Sequence, residues 1–396
     1  MKGISLLLMS IFYIFNVSQN LFLAIDSDGK AVLNQQGSPI TPSQEAADEA
    51  SGSYTLATAS GKLSASFASN TITADNNGSN THWLLKPCNP AKDTYALGCR
   101  IADANATGFL YASTFGESQL AKRYAEPADG YEPGQWRLVS QAEVEEGIVT
   151  LDEQNTGYSK PVSTLMGQGA RSSTQLTARL KRKFTLGARN TLCLPFPISL
   201  QELRQELGAE AQVAEYIAFN GTQLTFRYTD HMEAGKPYLV TPTKEATHTD
   251  ENGEAYYEFT GIASAQWAAG EEPTDITFGS QGKGNVTFHG AYHKTTAPQG
   301  AYVYSNGNVY HLQKEQTMKG FRAYFEASPE ASDAKLFTCV FTGTPTAIHE
   351  AEQATKSEQP SDIYNVSGQQ VRQAATSTDG LPAGIYIQKG QKVIVK

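Results

Sequence analysis

Short alternating runs joined by tight-turn residues recur along most of this chain, and that pattern restricts it to β-sheet architectures. Tyr216-Ile217-Ala218-Phe219 meets Thr222-Gln223-Leu224-Thr225-Phe226 across Asn220-Gly221. Asn-Gly between alternating runs is a type I′ hairpin signature, because both turn residues need positive φ. Residues 301–304 turn through Ser305-Asn306-Gly307-Asn308 into 309–312, and Asp250-Glu251-Asn252-Gly253 leads into Ala255-Tyr256-Tyr257-Glu258-Phe259. Regular short strands of this kind over residues 175–344 predict a β-sandwich. One helix interrupts them. Ser199 and Glu202 make a capping box, Leu200, Leu203 and Leu207 an apolar stripe, and Gly208 the stop.

Residues 51–165 read as a second, smaller β domain. Residues 54–58 and 62–67 alternate at the strand period, and residues 76–80 are a turn cluster. His82-Trp83-Leu84-Leu85 is echoed by Gln135-Trp136-Arg137-Leu138. Ser140 and Glu143 predict a short capped helix ended by Gly147. The Trp-x-Leu and Gly-x-Leu pieces faintly resemble two repeats of a ricin-type β-trefoil lectin, which implies a trefoil-like fold here. The fold class expected is therefore all-β: a small N-terminal β domain, a β-sandwich and a short β tail.

The N-terminus carries Lys2, an apolar stretch over residues 4–15, and a small residue at Ala24. This pattern predicts a secretory signal peptide over 1–24. A membrane-spanning helix wants about 20 apolar residues, and the polar patch at 16–20 interrupts this one, so the mature chain is expected to lack a transmembrane segment. Residues 25–50 hold few large apolar groups and read as a flexible spacer. Export would place four cysteines in an oxidising compartment. Cys88 and Cys99 flank a turn-rich stretch and are a candidate disulfide, worth roughly 2–3 kcal/mol, or free thiols. Cys193 and Cys339 lie in apolar runs that suit buried thiols.

Residues 345–360 read as a linker, and 361–396 as a small β unit punctuated by glycines. Its residues Ile363-Tyr364-Asn365-Val366-Ser367-Gly368-Gln369, Leu381-Pro382-Ala383-Gly384-Ile385-Tyr386-Ile387 and 389–396 resemble C-terminal sorting domains of the type IX secretion system of Bacteroidota. That resemblance implies a tail recognised by outer-membrane secretion machinery, and a protein released or held at the cell surface, with the periplasm as the other envelope destination. The sandwich region is similar to a β-rich module of large surface proteins in the same bacteria. The matching residues are Asn190-Thr191-Leu192-Cys193-Leu194-Pro195-Phe196, 233–240 and 318–325. That module implies location and architecture rather than chemistry.

No residue set qualifies as catalytic, cofactor-binding or metal-ligating. His289 and His293 lie four apart in a strand pattern, about 13 Å of extended chain. Gly282 and Gly284 lack the remaining features of a phosphate loop. Asp75, Asn77 and Ser79 alternate as calcium ligands do, yet lack the terminal Glu. Arg179, Lys181 and Lys183 share one strand face, as an anion patch or a solvated surface. Trp83 and Trp136 are candidate ligand-stacking residues, against the alternative of core anchors. With 40 acidic and 31 basic residues the formal charge is -9, which disfavours nucleic acid as a partner. The function expected is a non-enzymatic exported protein that binds or adheres to a glycan or host protein. The rival class is a secreted hydrolase acting on polysaccharide or peptide.

Overall fold

The computed structural model describes residues 10–44, 53–66, 71–76, 78, 80–101, 106–113, 120–123, 125–128, 131–166, 175–305, 307–332 and 337–344, together with 361–365, 369–375, 381–382, 384–388 and 391–395. The chain forms two compact units, Met1–Thr342 and Gly343–Lys396.

The first part of the larger unit has twelve strands: β1 (Phe12–Asn16), β2 (Leu21–Ile25), β3 (Ala31–Asn34), β4 (Thr41–Ser43), β5 (Ser53–Thr58), β6 (Gly61–Ser66), β7 (Thr71–Ala74), β8 (His82–Asn89), β9 (Thr94–Ile101), β10 (Ala106–Ala112), β11 (Leu120–Arg123) and β12 (Trp136–Ser140). Pairings run β1–β12–β9–β8–β5–β4. The circle closes where Phe12 and Ile40 exchange two backbone hydrogen bonds of 3.0 and 2.8 Å. Three hairpins complete it, β2–β3, β6–β7 and β10–β11. A four-strand unit used three times, six strands in a closed barrel and three hairpins beside it, is the β-trefoil arrangement.

Corresponding residues recur in the three repeats. Ile40 stands opposite Phe12, Trp83 opposite Tyr54 and Trp136 opposite Tyr95. The indole N–H of Trp83 donates to the Leu63 carbonyl at 2.9 Å, and that of Trp136 to Leu110 at 3.0 Å. The Ile40 side chain has no donor, and in its repeat the Leu23 carbonyl accepts from the Ser38 N–H instead, at 3.0 Å.

Residues 12–16 and 21–24 of the expected signal peptide lie in strands β1 and β2 of the first repeat, while residues 1–9 of that segment and 45–50 of the expected spacer lie outside the described residues. Phe12, Ile14 and Leu23 fill the barrel core, while Tyr13, Phe15 and Phe22 pack outside it against Val139, Val144 and Val162. Both faces of β1 are buried, so its sequence loses the apolar–polar alternation of a surface strand. That is why it reads as a leader. Residues 31–34 and 41–43 of the expected spacer are strands β3 and β4.

The chain continues with β13 (Ile148–Asp152), β14 (Gln175–Lys181), β15 (Asn190–Cys193), β16 (Ile198–Ser199), helix α1 (Leu200–Leu207), β17 (Gln212–Phe219), β18 (Gln223–Tyr228), β19 (His231–Met232), β20 (Pro237–Thr241), β21 (His248–Thr249), β22 (Ala255–Ala263), β23 (Ile276–Gly279), β24 (Asn285–Ala291), β25 (Thr295–Ala297), β26 (Tyr302–Ser305), β27 (Asn308–His311), β28 (Gln316–Met318), β29 (Arg322–Ala327) and β30 (Thr338–Thr342). Sheet β15-β20-β17-β18-β30 faces sheet β23-β24-β29-β26-β27. Tyr216, Phe226 and Leu239 meet Val286, Phe288 and Phe325 between them, and the rings of Phe288 and Phe325 stack at 4.2 Å.

A further sheet, β13-β14-β22-β21, covers a second core shared with α1. Here β13 runs parallel to β14. The expected first domain thus gives strand β13 to the second region's sheet, while Val162 and Met166 further along still pack against Tyr13, Phe15 and Phe22. The expected helix at 142–146 is a single capped turn, with Glu143 N–H donating to Ser140 Oγ at 3.1 Å and Gly147 left-handed.

In the smaller unit, β31 (Ser361–Asn365), β32 (Gln370–Ala375), β33 (Gly384–Gln388) and β34 (Gln391–Val395) form an antiparallel sheet of order β32-β31-β33-β34. The linker residues 345–360 lie outside the described residues. Among the described residues no helix is long and apolar enough to cross a membrane.

Candidate functional site

Trp83 and Trp136 are 2% and 0% exposed. Neither has a face to offer a sugar ring, so the ligand-stacking reading is replaced by that of two core anchors. The candidate disulfide also falls. Strands β8 and β9 pair Trp83 with Cys99 and Asn89 with Thr94, so Cys88 and Cys99 lie about 15 Å apart along the ladder. A disulfide needs Cα atoms within about 7 Å. All four cysteines are free thiols, and burial pushes the Cys339 thiol up to about 12.

The other candidate positions separate rather than converge. His289 meets Asp275 at 2.9 Å and His293 meets Glu272 at 3.9 Å. Gly282 and Gly284 are left-handed turn residues between β23 and β24. Arg179 pairs with Glu258, and Lys181 with Asp250 and Glu254, while Lys183 lies exposed beyond the end of β14, so the three do not share one open cationic face. Asn77 and Ser79 of the calcium-like segment lie outside the described residues. Among the described residues no three His, Cys, Asp or Glu are placed to hold a metal ion.

A groove of about 450 Å³ opens where α1, the β16–β19 ladder and β22 meet. The Ser199 cap and the Leu200, Leu203 and Leu207 stripe seat α1 on the core, which turns Glu202 and Gln205 toward the opening. Strand β19 contributes His231 and Met232, with Glu233 following. Strand β22 supplies residues 258–262, and Gln266 also lines the groove. Ile198, Met232 and Phe259 give the groove an apolar floor within a polar rim.

Each carboxylate here has a structural engagement. Glu202 accepts from Ser199 N–H at 2.9 Å and from its hydroxyl at 2.7 Å. Glu258 accepts from Arg179 Nε at 2.8 Å. Neighbouring Glu206 accepts from the Glu258 N–H at 3.1 Å and faces His248 at 3.5 Å. Glu233 pairs with Lys236 at 2.6 Å. Beside the groove, the His231 ring holds the exposed Asp230 carboxyl below its ordinary range. Hydroxyl, amide, imidazole and carboxylate groups thus converge over a small apolar floor, a lining able to recognise a ligand by hydrogen bonds.

Sequence reasoning located the capping box but not the groove. The one local signal is Gly261 within a strand pattern, which marks a bulge or a close approach. Gly261 is left-handed at φ 73, and two β22 residues there stand against Thr177 alone.

No known family matches the chain, and no curated protein matches it. Among solved structures, a proteinase inhibitor from Coprinopsis cinerea is 10% identical, with TM-score 0.26, over 33% of this chain and 97% of that one. The designed threefold-symmetric protein ThreeFoil is 16% identical, with TM-score 0.24, over 33% of this chain and 98% of that one.

Proposed function

We propose that this is a non-enzymatic binding protein of the cell surface or exterior, which engages a glycan or protein ligand in the groove between α1, β19 and β22. The observation that carries this reading is the state of the groove's carboxylates. Glu202, Glu233 and Glu258 each serve a cap or an ion pair, whereas glycoside hydrolysis by a carboxyl pair needs two carboxyls whose environments push their pKa values apart. The envelope destination rests on the resemblance of residues 363–395 to sorting tails.

The test is a panel of glycans and extracellular-matrix proteins probed with the full chain and with Gln266→Trp, which fills the groove. Capture by the wild type that drops at least about tenfold in the variant supports the reading. Equal capture by both moves the site elsewhere. Turnover of a polysaccharide or peptide that disappears in Glu258→Gln would overturn the non-enzymatic reading.

A further inference from the structure

We infer that the groove takes an extended, basic peptide segment, which lies against the open edge of β22 as an added strand. This rests on the groove being the binding site. Strand β22 is nine residues long, and β14 pairs with it from Tyr257 to Ala263. On its other edge β21 reaches only Ala255 and Tyr256. Glu206 then caps the Glu258 N–H. Beyond that point, among the described residues, no backbone group partners residues 259–262 on the groove side.

An unpaired strand edge is a template for another chain, and native proteins usually cover it, twist it or charge it. This edge is bent by the Thr260–Gly261 bulge, yet both residues are exposed and line the groove. Residues 258–262 span about 15 Å, room for a short strand whose alternate side chains reach the two walls.

The lining sets the sign of the partner. Glu202, Glu233 and Glu258 line the groove, and no Lys or Arg does. Arg179 and Lys236 neutralise two of these carboxylates from outside the lining. Beside it Glu206 faces His248, Asp230 faces His231, and the Lys244 ammonium donates to the Gln205 carbonyl, so the negative charge centres on Glu202, whose carboxylate, among the described residues, meets only the Ser199 cap. Lysine or arginine at alternate positions of the incoming strand meets this field, and an acidic strand is repelled.

The probe is an acetylated peptide of about eight residues alternating threonine and lysine, titrated against the full chain by fluorescence anisotropy, with amide hydrogen exchange read over 258–262. We expect saturable binding and exchange at Thr260 slowed about tenfold or more at saturation. Affinity should fall about tenfold or more when alternate peptide nitrogens are methylated, or when glutamate replaces lysine. Thr260→Pro removes the Thr260 N–H and should weaken peptide binding about tenfold or more by anisotropy. Glu233→Lys, which leaves the backbone alone, should weaken binding should the proline variant fail to fold. Indifference to methylation, or binding retained in both variants, overturns the strand-addition inference. A glycan captured in the groove with no peptide binding overturns it while leaving the binding site standing. Absence of any ligand displaced by Gln266→Trp removes both.

Discussion

Glu153 follows the last residue of β13, almost out of water, and its two carboxylate oxygens accept from Lys319 Nζ at 2.8 Å and Arg322 at 2.7 Å. Burial alone would raise this carboxyl, but the two cations outweigh it and hold the group below its ordinary value. A carboxyl depressed in the folded state stabilises the fold above its unfolded pKa, and that contribution fades as pH falls through the folded one. Glu153→Gln should therefore cost roughly 2–3 kcal/mol at neutral pH, less than a fully buried pair because Lys319 is half in water. Urea unfolding at several pH values checks this. The gap between wild type and variant should narrow below about pH 4, and a gap that stays constant would show the ion pairs are not its source. Residue-scale roles were only partly legible. Trp83 and Trp136 stood out, but a buried indole and a stacking indole have the same letters. What decides between them is whether a carbonyl such as Leu63 or Leu110 lies within reach inside the core.

At the scale of the element, local chemistry wrote itself clearly where partners are near in sequence. The box at the start of α1 is present in full, with Glu202 N–H donating to Ser199 Oγ at 3.2 Å and the Glu202 carboxylate answering Ser199. Ser199→Ala should destabilise the protein by about 1 kcal/mol, while Ser199→Asp, which keeps a cap acceptor, should cost less. Chemical denaturation of both variants measures this, and equal losses would assign the effect to the Ser199 hydroxyl itself rather than to capping. The Asn220-Gly221 hairpin forms, but not with a type I′ turn. Phe219 pairs with Leu224, and of the two turn residues only Gly221 is left-handed. Asn220 uses its side-chain oxygen to accept from Thr222 and Gln223, at 3.3 and 3.0 Å, a competing local solution that the dipeptide alone does not reveal. The parallel pairs β13–β14 and β18–β30 were illegible for another reason. Their registers depend on long-range packing, and no turn links the paired strands.

For the whole molecule, the question is what closes the barrel. Three repeats were hard to count because the first replaces the repeated Trp by Ile40 and buries both faces of β1, erasing the alternation and the aromatic marker together. The closure makes a firm demand. Strand β1 joins β12 along five residues, Phe12 to Asn16, and carries the Phe12–Ile40 link to the start of β4. Residues 12–24 also bury Phe12, Tyr13, Ile14, Phe15, Phe22 and Leu23, each at most 2% exposed. At about 1.5–3 kcal/mol for each large apolar side chain, they contribute on the order of the entire net stability of a domain, about 5–15 kcal/mol. A chain beginning at Ile25 should therefore lose the trefoil. Near-ultraviolet dichroism should fall, and proteolysis should reach the β5–β12 segments that the intact chain protects. A chain ending at Thr342 should keep the melting profile of the larger unit, since the contacts of Gly343–Lys396 are grouped as a separate body. Protein purified from its own cells should retain an N-terminus upstream of Phe12 by intact mass. A mature form starting at Ile25 and folded with native melting would mean that something other than β1 and β2 completes the barrel. The assignment of the first repeat would then have to be abandoned.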